Sequence, residues 1–196
     1  QILGSNGDGI SLSLGLTSDG RPAFSYFNIS DKSLRYSEWT GASWTNESVD
    51  TSLTVLGTVT VDSNLTFTSR SALTFQGNDP HIIYYDALSG RLLHAYRSGT
   101  LWSKEVIVSN LLSGGSPAVT TCAAALCVSF YDGQNKDLLF AQGSTGAWSI
   151  STIDTAADVG SMSAVASSSS GIPAILYYDA TNKRPKVATR NPDNSW

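Results

Sequence analysis

His81 to Trp102, HIIYYDALSGRLLHAYRSGTLW, is the stretch that decides how this chain is read. A short apolar run ends in Tyr84-Tyr85-Asp86, a turn follows, a second run follows that, and a tryptophan closes the unit. The same order returns as AFSYFN before Trp44, CVSFYD before Trp148 and AILYYD before Trp196. The anchors Asn28, Asp86, Asp132 and Asp179 stand 58, 46 and 47 residues apart, and each precedes its tryptophan by 16, 16, 16 and 17 residues. Spacing held that closely while the side chains between diverge marks a structural repeat.

Each repeat divides into four short segments of alternating polarity, bounded by Gly, Asn, Asp and Ser. In the first repeat these run from Ile10 to Leu16, Pro22 to Phe27, Leu34 to Trp39 and Trp44 to Val49. No segment carries a helical period. Ser11, Ser69, Ser116 and Ser161 mark the first strands, and the second repeat holds about 11 extra residues within Thr51 to Thr68. Four-stranded units of this length, set radially, predict an all-β chain folded as a four-bladed β-propeller. A single domain over residues 1–196 is expected, with blades at about 10–50, 51–110, 111–155 and 156–196 plus 1–6. The last repeat stops at Trp196, where the others run on into a fourth strand, so Gln1 to Ser5 are expected to complete the last blade beside Arg184 to Thr189. That arrangement closes a ring and removes open sheet edges. The alternative is two chains joined head to tail into eight blades; a sandwich or linear solenoid leaves the split terminal repeat unexplained.

Only 14% of residues are charged, the net charge is −4 and the pI is near 5.0. Nucleic acid and anionic membrane surfaces demand clustered Lys and Arg, so neither is an expected partner. No stretch reaches the roughly 18 apolar residues of a membrane span. Gln1 stands in place of an initiator Met, as in a processed chain. Asn28, Asn46 and Asn64 each open an Asn-x-Ser/Thr glycosylation pattern. Cys122 and Cys127, the only cysteines, would face each other across a hairpin of the first two strands of the third repeat, close enough to bridge. A disulfide there implies an oxidising compartment, and the chain reads as secreted. Two buried free thiols are the competing reading.

The order HIIYYD, Leu92, Ala95, Trp102 resembles the blades of secreted propeller families, among them bacterial propeller lectins and sialidase-like propellers. More loosely it is similar to the fungal fucose-binding lectins. The resemblance spans all four repeats and implies a carbohydrate-binding propeller with glycan partners and no cofactor. The fucose lectins place an Arg before the Tyr pair and a Glu in the third strand. Here those places hold Phe24, Ile82, Val128 and Ile175, then Tyr36, His94, Phe140 and Val187, so fucose specificity does not follow. A sialidase would carry Ser-x-Asp-x-Gly-x-Thr-Trp turns, and the chain has none.

Asn28, Asp86, Asp132 and Asp179 open turns, where a carboxyl or amide oxygen accepts backbone N–H groups. The four repeat tryptophans, Trp44, Trp102, Trp148 and Trp196, are expected between blades; burying such a ring stabilises by roughly 2 to 3 kcal/mol. Positions that break the repeat are the better ligand candidates. Ten and eleven residues past the anchors stand Glu38 and Trp39, Tyr96 and Arg97, Gln142 and Gly143, Thr189 and Arg190. Aromatic faces stack on sugar C–H surfaces, and Glu and Arg offer forked bonds to hydroxyls, so Trp39, Glu38, Tyr96, Arg97 and Arg190 are the expected carbohydrate site. His81 and His94 alone do not make a metal centre. No nucleophile elbow, phosphate loop or HExxH is present, so no catalytic residue is assigned. Three functions follow from this: a secreted lectin-like module without catalysis, an extracellular glycosidase or lyase using carboxylates such as Asp62, Glu47 or Glu105, or an ion or ligand scavenger on the central channel.

Overall fold

A computed structural model of the chain describes residues 8–28, 30–53, 70–111 and 115–196. Blade 1 holds β1 (Asp8–Leu16), β2 (Pro22–Asn28), β3 (Ser33–Glu38) and β4 (Glu47–Asp50). Blade 2 holds β5 (Ser71–Gln76), β6 (Asp79–Asp86), β7 (Arg91–Ser98) and β8 (Leu101–Val108). Blade 3 holds β9 (Gly115–Cys122), β10 (Ala125–Asp132), β11 (Asp137–Ser144) and β12 (Ala147–Asp154). Blade 4 holds β13 (Val159–Ser167), β14 (Pro173–Asp179) and β15 (Arg184–Thr189). Every sheet is antiparallel in simple sequential order, and no helix occurs among the described residues. The chain is an all-β, four-bladed β-propeller. Gln1 to Ser5 and most of the Thr51 to Thr68 insertion lie outside the described residues.

A strand lying in a blade between two neighbouring blades has no solvent face. That is why β6 reads as an unbroken apolar run and is buried from Pro80 to Asp86. Ile82 and Tyr84 enter the core shared with blade 1, while Ile83 and Tyr85 enter the core shared with blade 3. A third core fills the space between blades 3 and 4. The outermost strands β8 and β12 are covered on one side only, and their side chains are largely exposed or half-buried.

Three of the repeat tryptophans cross between blades as expected. Trp102 meets Tyr36 edge-on at 5.3 Å, Trp148 meets His94 at 5.4 Å, and Trp196 meets Phe140 at 4.9 Å. Each receiving residue stands eight past the anchor of the preceding blade. The anchors cap their turns: Asn28 Oδ1 accepts from the Ser30 amide, Asp86 Oδ1 from Leu88, Asp132 Oδ1 from Gln134 and Asp179 Oδ1 from Asn182.

Innermost strands pack in sequence, β1 on β5, β5 on β9 and β9 on β13, and among the described residues no comparable packing joins β13 to β1. Bulges interrupt three of these strands where they pair with the second strand of the blade. Ser11, Ser116 and Met162 take left-handed backbone there, with φ of 54, 53 and 52°. The pairing registers make Ser11, Arg70, Ser116 and Met162 equivalent, so the mark in the last repeat falls one residue after Ser161. Ser69 lies outside the described residues. An extra residue in a bulge displaces every count that runs through it.

Cys122 and Cys127 form a disulfide across the β9–β10 turn, with Cα atoms 5.8 Å apart. Both sulfurs sit in the core between blades 3 and 4. The bridge closes a very short loop, for which chain entropy gives about 2 kcal/mol of stabilisation. Reduction is expected to lower the melting temperature by about 4 to 8 °C without loss of the β spectrum. Melts followed by circular dichroism with and without reductant measure this, and an unchanged midpoint would contradict it.

Candidate functional site

The expected ligand residues are placed largely by contacts between blades. Glu38 is buried; its Oε1 lies 2.5 Å from Arg21 Nη1, and its Oε2 accepts from Tyr36 Oη at 2.7 Å and Arg97 Nη2 at 3.1 Å. Arg97 also donates to Glu47 at 2.8 Å and lies over the rings of Tyr36 and Trp102. Arg190 donates to Gln142 and lies over Phe140 and Trp196. So position eleven of one blade grips position ten of the blade before it, twice over. Trp39 packs on Trp44 of its own blade at 5.7 Å, and Tyr96 lies 5.1 Å from His94. Glu38 and Arg97 thus meet each other; Trp39, Tyr96 and Arg190 lie in separate surroundings.

A hydrogen-bonded chain that spacing did not show runs through blade 2. His81 Nδ1 lies 2.8 Å from His94 Nε2, and His94 Nδ1 lies 2.9 Å from Glu105 Oε1. Trp148 Nε1 and the Gly146 amide donate to the same carboxylate. Burial depresses both imidazoles, His81 to about 4 with the help of its neighbour His94, so the pair is neutral at pH 7. The cross-strand pairing of His94 with Glu105 was the available signal, since a glutamate stands eleven residues on. Among the described residues no group of three or more His, Cys, Asp or Glu side chains is arranged to hold a metal.

The carboxylates considered for acid–base work are already hydrogen-bonded. Glu47 accepts from Trp102 as well as Arg97, and Glu105 is held as above; Asp62 lies outside the described residues. Asp50 accepts from Tyr84 Oη at 2.7 Å and Lys104 Nζ at 2.6 Å. Burial pushes Asp50 up, but the Lys104 ammonium and the Ser52 and Tyr84 donors outweigh it and hold the carboxyl below its usual range. Asp154 repeats this arrangement with Tyr177 and Lys186. Of the glycosylation patterns, Asn46 is exposed and donates to Tyr26, Asn28 caps its turn, and Asn64 is outside the described residues.

On the propeller axis, equivalent residues of all four blades converge on one cavity of about 440 Å³. Its wall takes two consecutive residues from each blade, in or just before the inner strand: Ser11 and Leu12, Arg70 and Ser71, Ser116 and Pro117, Met162 and Ser163. The three left-handed bulge residues are therefore all at this cavity. Ser71 Oγ donates to the Ser11 carbonyl at 3.0 Å, and the Ser71 amide donates to Ser11 Oγ at 2.9 Å. Arg70 is exposed, and among the described residues its guanidinium has no partner; nor has the Ser116 hydroxyl. Among the described residues the wall carries no carboxylate. The hydroxyls, the Arg70 guanidinium and the apolar surfaces of the described wall suit a polar anion better than a metal.

No protein-family model matches this chain, and no curated protein matches it. Among solved structures it is similar to a leech intramolecular trans-sialidase in complex with 2,7-anhydro-Neu5Ac prepared by soaking with 3′-sialyllactose. The identity is 16% and the TM-score 0.60, over 93% of this chain and 31% of that one. The chain therefore spans about a third of the length of that relative, and the likeness is one of fold.

Proposed function

We propose that this chain is a secreted carbohydrate-binding propeller, without catalysis, that takes acidic sugars at its axial cavity. The observation that carries the reading is the convergence of three left-handed bulges and the unpartnered Arg70 on one hydroxyl-lined space. Non-glycine residues in that backbone region are costly and concentrate where a site needs a side chain re-aimed. A guanidinium recognises a carboxylate through two parallel hydrogen bonds, and serine hydroxyls exchange bonds with sugar hydroxyls. The ligand of the leech enzyme is of this class, a polyhydroxylated acid. Binding is favoured over hydrolysis because Glu47, Glu105 and Asp50 are each held by other side chains. The disulfide supports an extracellular setting.

An array of acidic and neutral glycans tests the proposal, followed by titration of the best ligand against Arg70→Ala. Loss of a charge-assisted pair removes about 1.5 to 3 kcal/mol, or roughly 10- to 100-fold in affinity. No binding above background, or equal affinity of wild type and Arg70→Ala, would reject the cavity as the site. Release of reducing sugar from the bound glycan would replace the lectin reading by the glycosidase one.

A further inference from the structure

The three interfaces inside the chain follow one plan, and the two outermost faces hold its unmatched halves. In each internal interface the tryptophan of the later blade rests on the residue eight past the earlier anchor. The residue three before the earlier anchor faces the first strand of the later blade. Ser25 meets Ser71 there at 3.1 Å, and Ser129 meets Ser163 at 2.9 Å. In the middle interface both places are apolar, Ile83 and Pro117. Two residues further along the first strand, Leu73, Val119 and Val165 enter the three cores.

On the free face of blade 4 the corresponding places are Leu176 and Val187, exposed by 50 and 64%. On the free face of blade 1 they are Leu12, Leu14 and Trp44; Leu12 and Leu14 are exposed by 67 and 72%. Trp44 meets the ring of Phe24 in its own blade, and among the described residues it has no ring contact with another blade. Matched by the plan of the internal interfaces, Leu176 faces Leu12, and Val187 receives Trp44. Apolar meets apolar at both places, as Ile83 meets Pro117 in the middle interface, and neither pair includes a charge.

We infer that the blade 4 face of one copy binds the blade 1 face of a second copy, head to tail, so that the repeat runs on across the boundary between molecules. Large exposed apolar faces of this kind mark association surfaces. The contact is heterologous, so it must either close into a ring or continue. Two copies give eight blades, within the range of known propeller rings.

The test is multi-angle light scattering on the intact chain over a concentration series. The expected mass is twice 20.7 kDa plus any glycans, with a species that keeps growing supporting the same pairing without closure. The variant Leu176→Asp/Val187→Asp is expected to be monomeric with an unchanged β spectrum, since both residues are exposed. As a second measurement, Leu12→Cys and Leu176→Cys chains are mixed under mild oxidation, and a crosslink between one chain of each kind is expected. A monomeric mass at the highest soluble concentration, or no such crosslink, overturns the inference. So does a bridge within one chain when both cysteines are placed on it, which means that the ring closes on itself. Arg70→Ala must keep the wild-type mass, so loss of glycan binding and loss of association are told apart.

Discussion

Replacing Asp50 by Ala is expected to cost about 3 kcal/mol and to lower the melting temperature by about 6 to 12 °C. The larger part of that cost is the Tyr84 hydroxyl, which is fully buried and donates to Asp50. Without its acceptor it keeps its desolvation penalty and gains nothing in return. Lys104 contributes less, because its side chain is 41% exposed and water takes over much of its interaction. Twenty-two residues past the next anchor, Val108 stands in the place of Asp50, and Phe130 stands in the place of Tyr84. Asp50→Val with Tyr84→Phe should therefore recover most of the loss, and adding Lys104→Ile, after Ile150 at the matching place, should recover more. Replacing a buried polar set as a whole is tolerated far better than breaking it. Chemical denaturation of the single, double and triple variants measures the coupling, and additive losses would refute the account.

The same carboxylate sets a pH dependence. Its folded pKa lies below the unfolded value, so ionised Asp50 contributes stability that is fully present above the ordinary carboxylate range. That contribution is lost as the pH falls through the folded value. The double variant should flatten this acid limb while leaving stability near neutral pH close to the wild type.

Gly160→Ala is the second substitution with a large expected effect, a loss above about 3 kcal/mol. Gly160 has φ of +102°, and a Cβ there would lie 2.7 Å from Leu138 Cα and 3.0 Å from the Leu138 amide nitrogen. Blade 4 begins at this point and is pressed against β11 of blade 3, with the Val159 amide donating to the Lys136 carbonyl. The backbone of β11 is fixed by pairing on both sides and cannot move away. Gly146 separates the two components of the cost. It also has positive φ, at +79°, but nothing lies within 4 Å of its would-be Cβ. Gly146→Ala should cost only the left-handed backbone penalty of about 1 to 2 kcal/mol. Equal losses at the two glycines would show that the clash with Leu138 can be relieved.

The blade count and the placing of three tryptophans between blades were legible because anchor and tryptophan sit in one three-stranded meander with short turns, where spacing is rigid. The axial cavity was not, because it depends on bulges, and a bulge shifts a count along the strand without showing where the extra residue sits. Arg70 is the clearest case: it takes the place of Ser11 and Ser116 in the structure, while the serine beside it, Ser69, matches them in the sequence. Glu38 and Arg97 stood out for breaking the repeat, yet their meeting is a contact between residues 59 apart in different blades. Position within one repeat says nothing about which neighbour completes a pair across two. Exposed Leu12 and Leu176 were hidden for the same reason, as apolar alternation looks alike whether a blade covers it or not.

Blade 2 meets blade 1 through an acid, a phenol and an amine, and meets blade 3 at the places of the acid and the phenol through valine and phenylalanine. Repeats this similar could dock in the wrong order while the chain is still being made. A swap of blades would set a lone carboxylate against a hydrocarbon wall, or leave an ammonium with no acid opposite. Such a mispaired intermediate is penalised by several kcal/mol before it can consolidate. Alternating the chemistry of successive joints thus acts as an address label that keeps polar faces from docking on apolar ones, slowing part of the misassembly to which tandem repeats are prone.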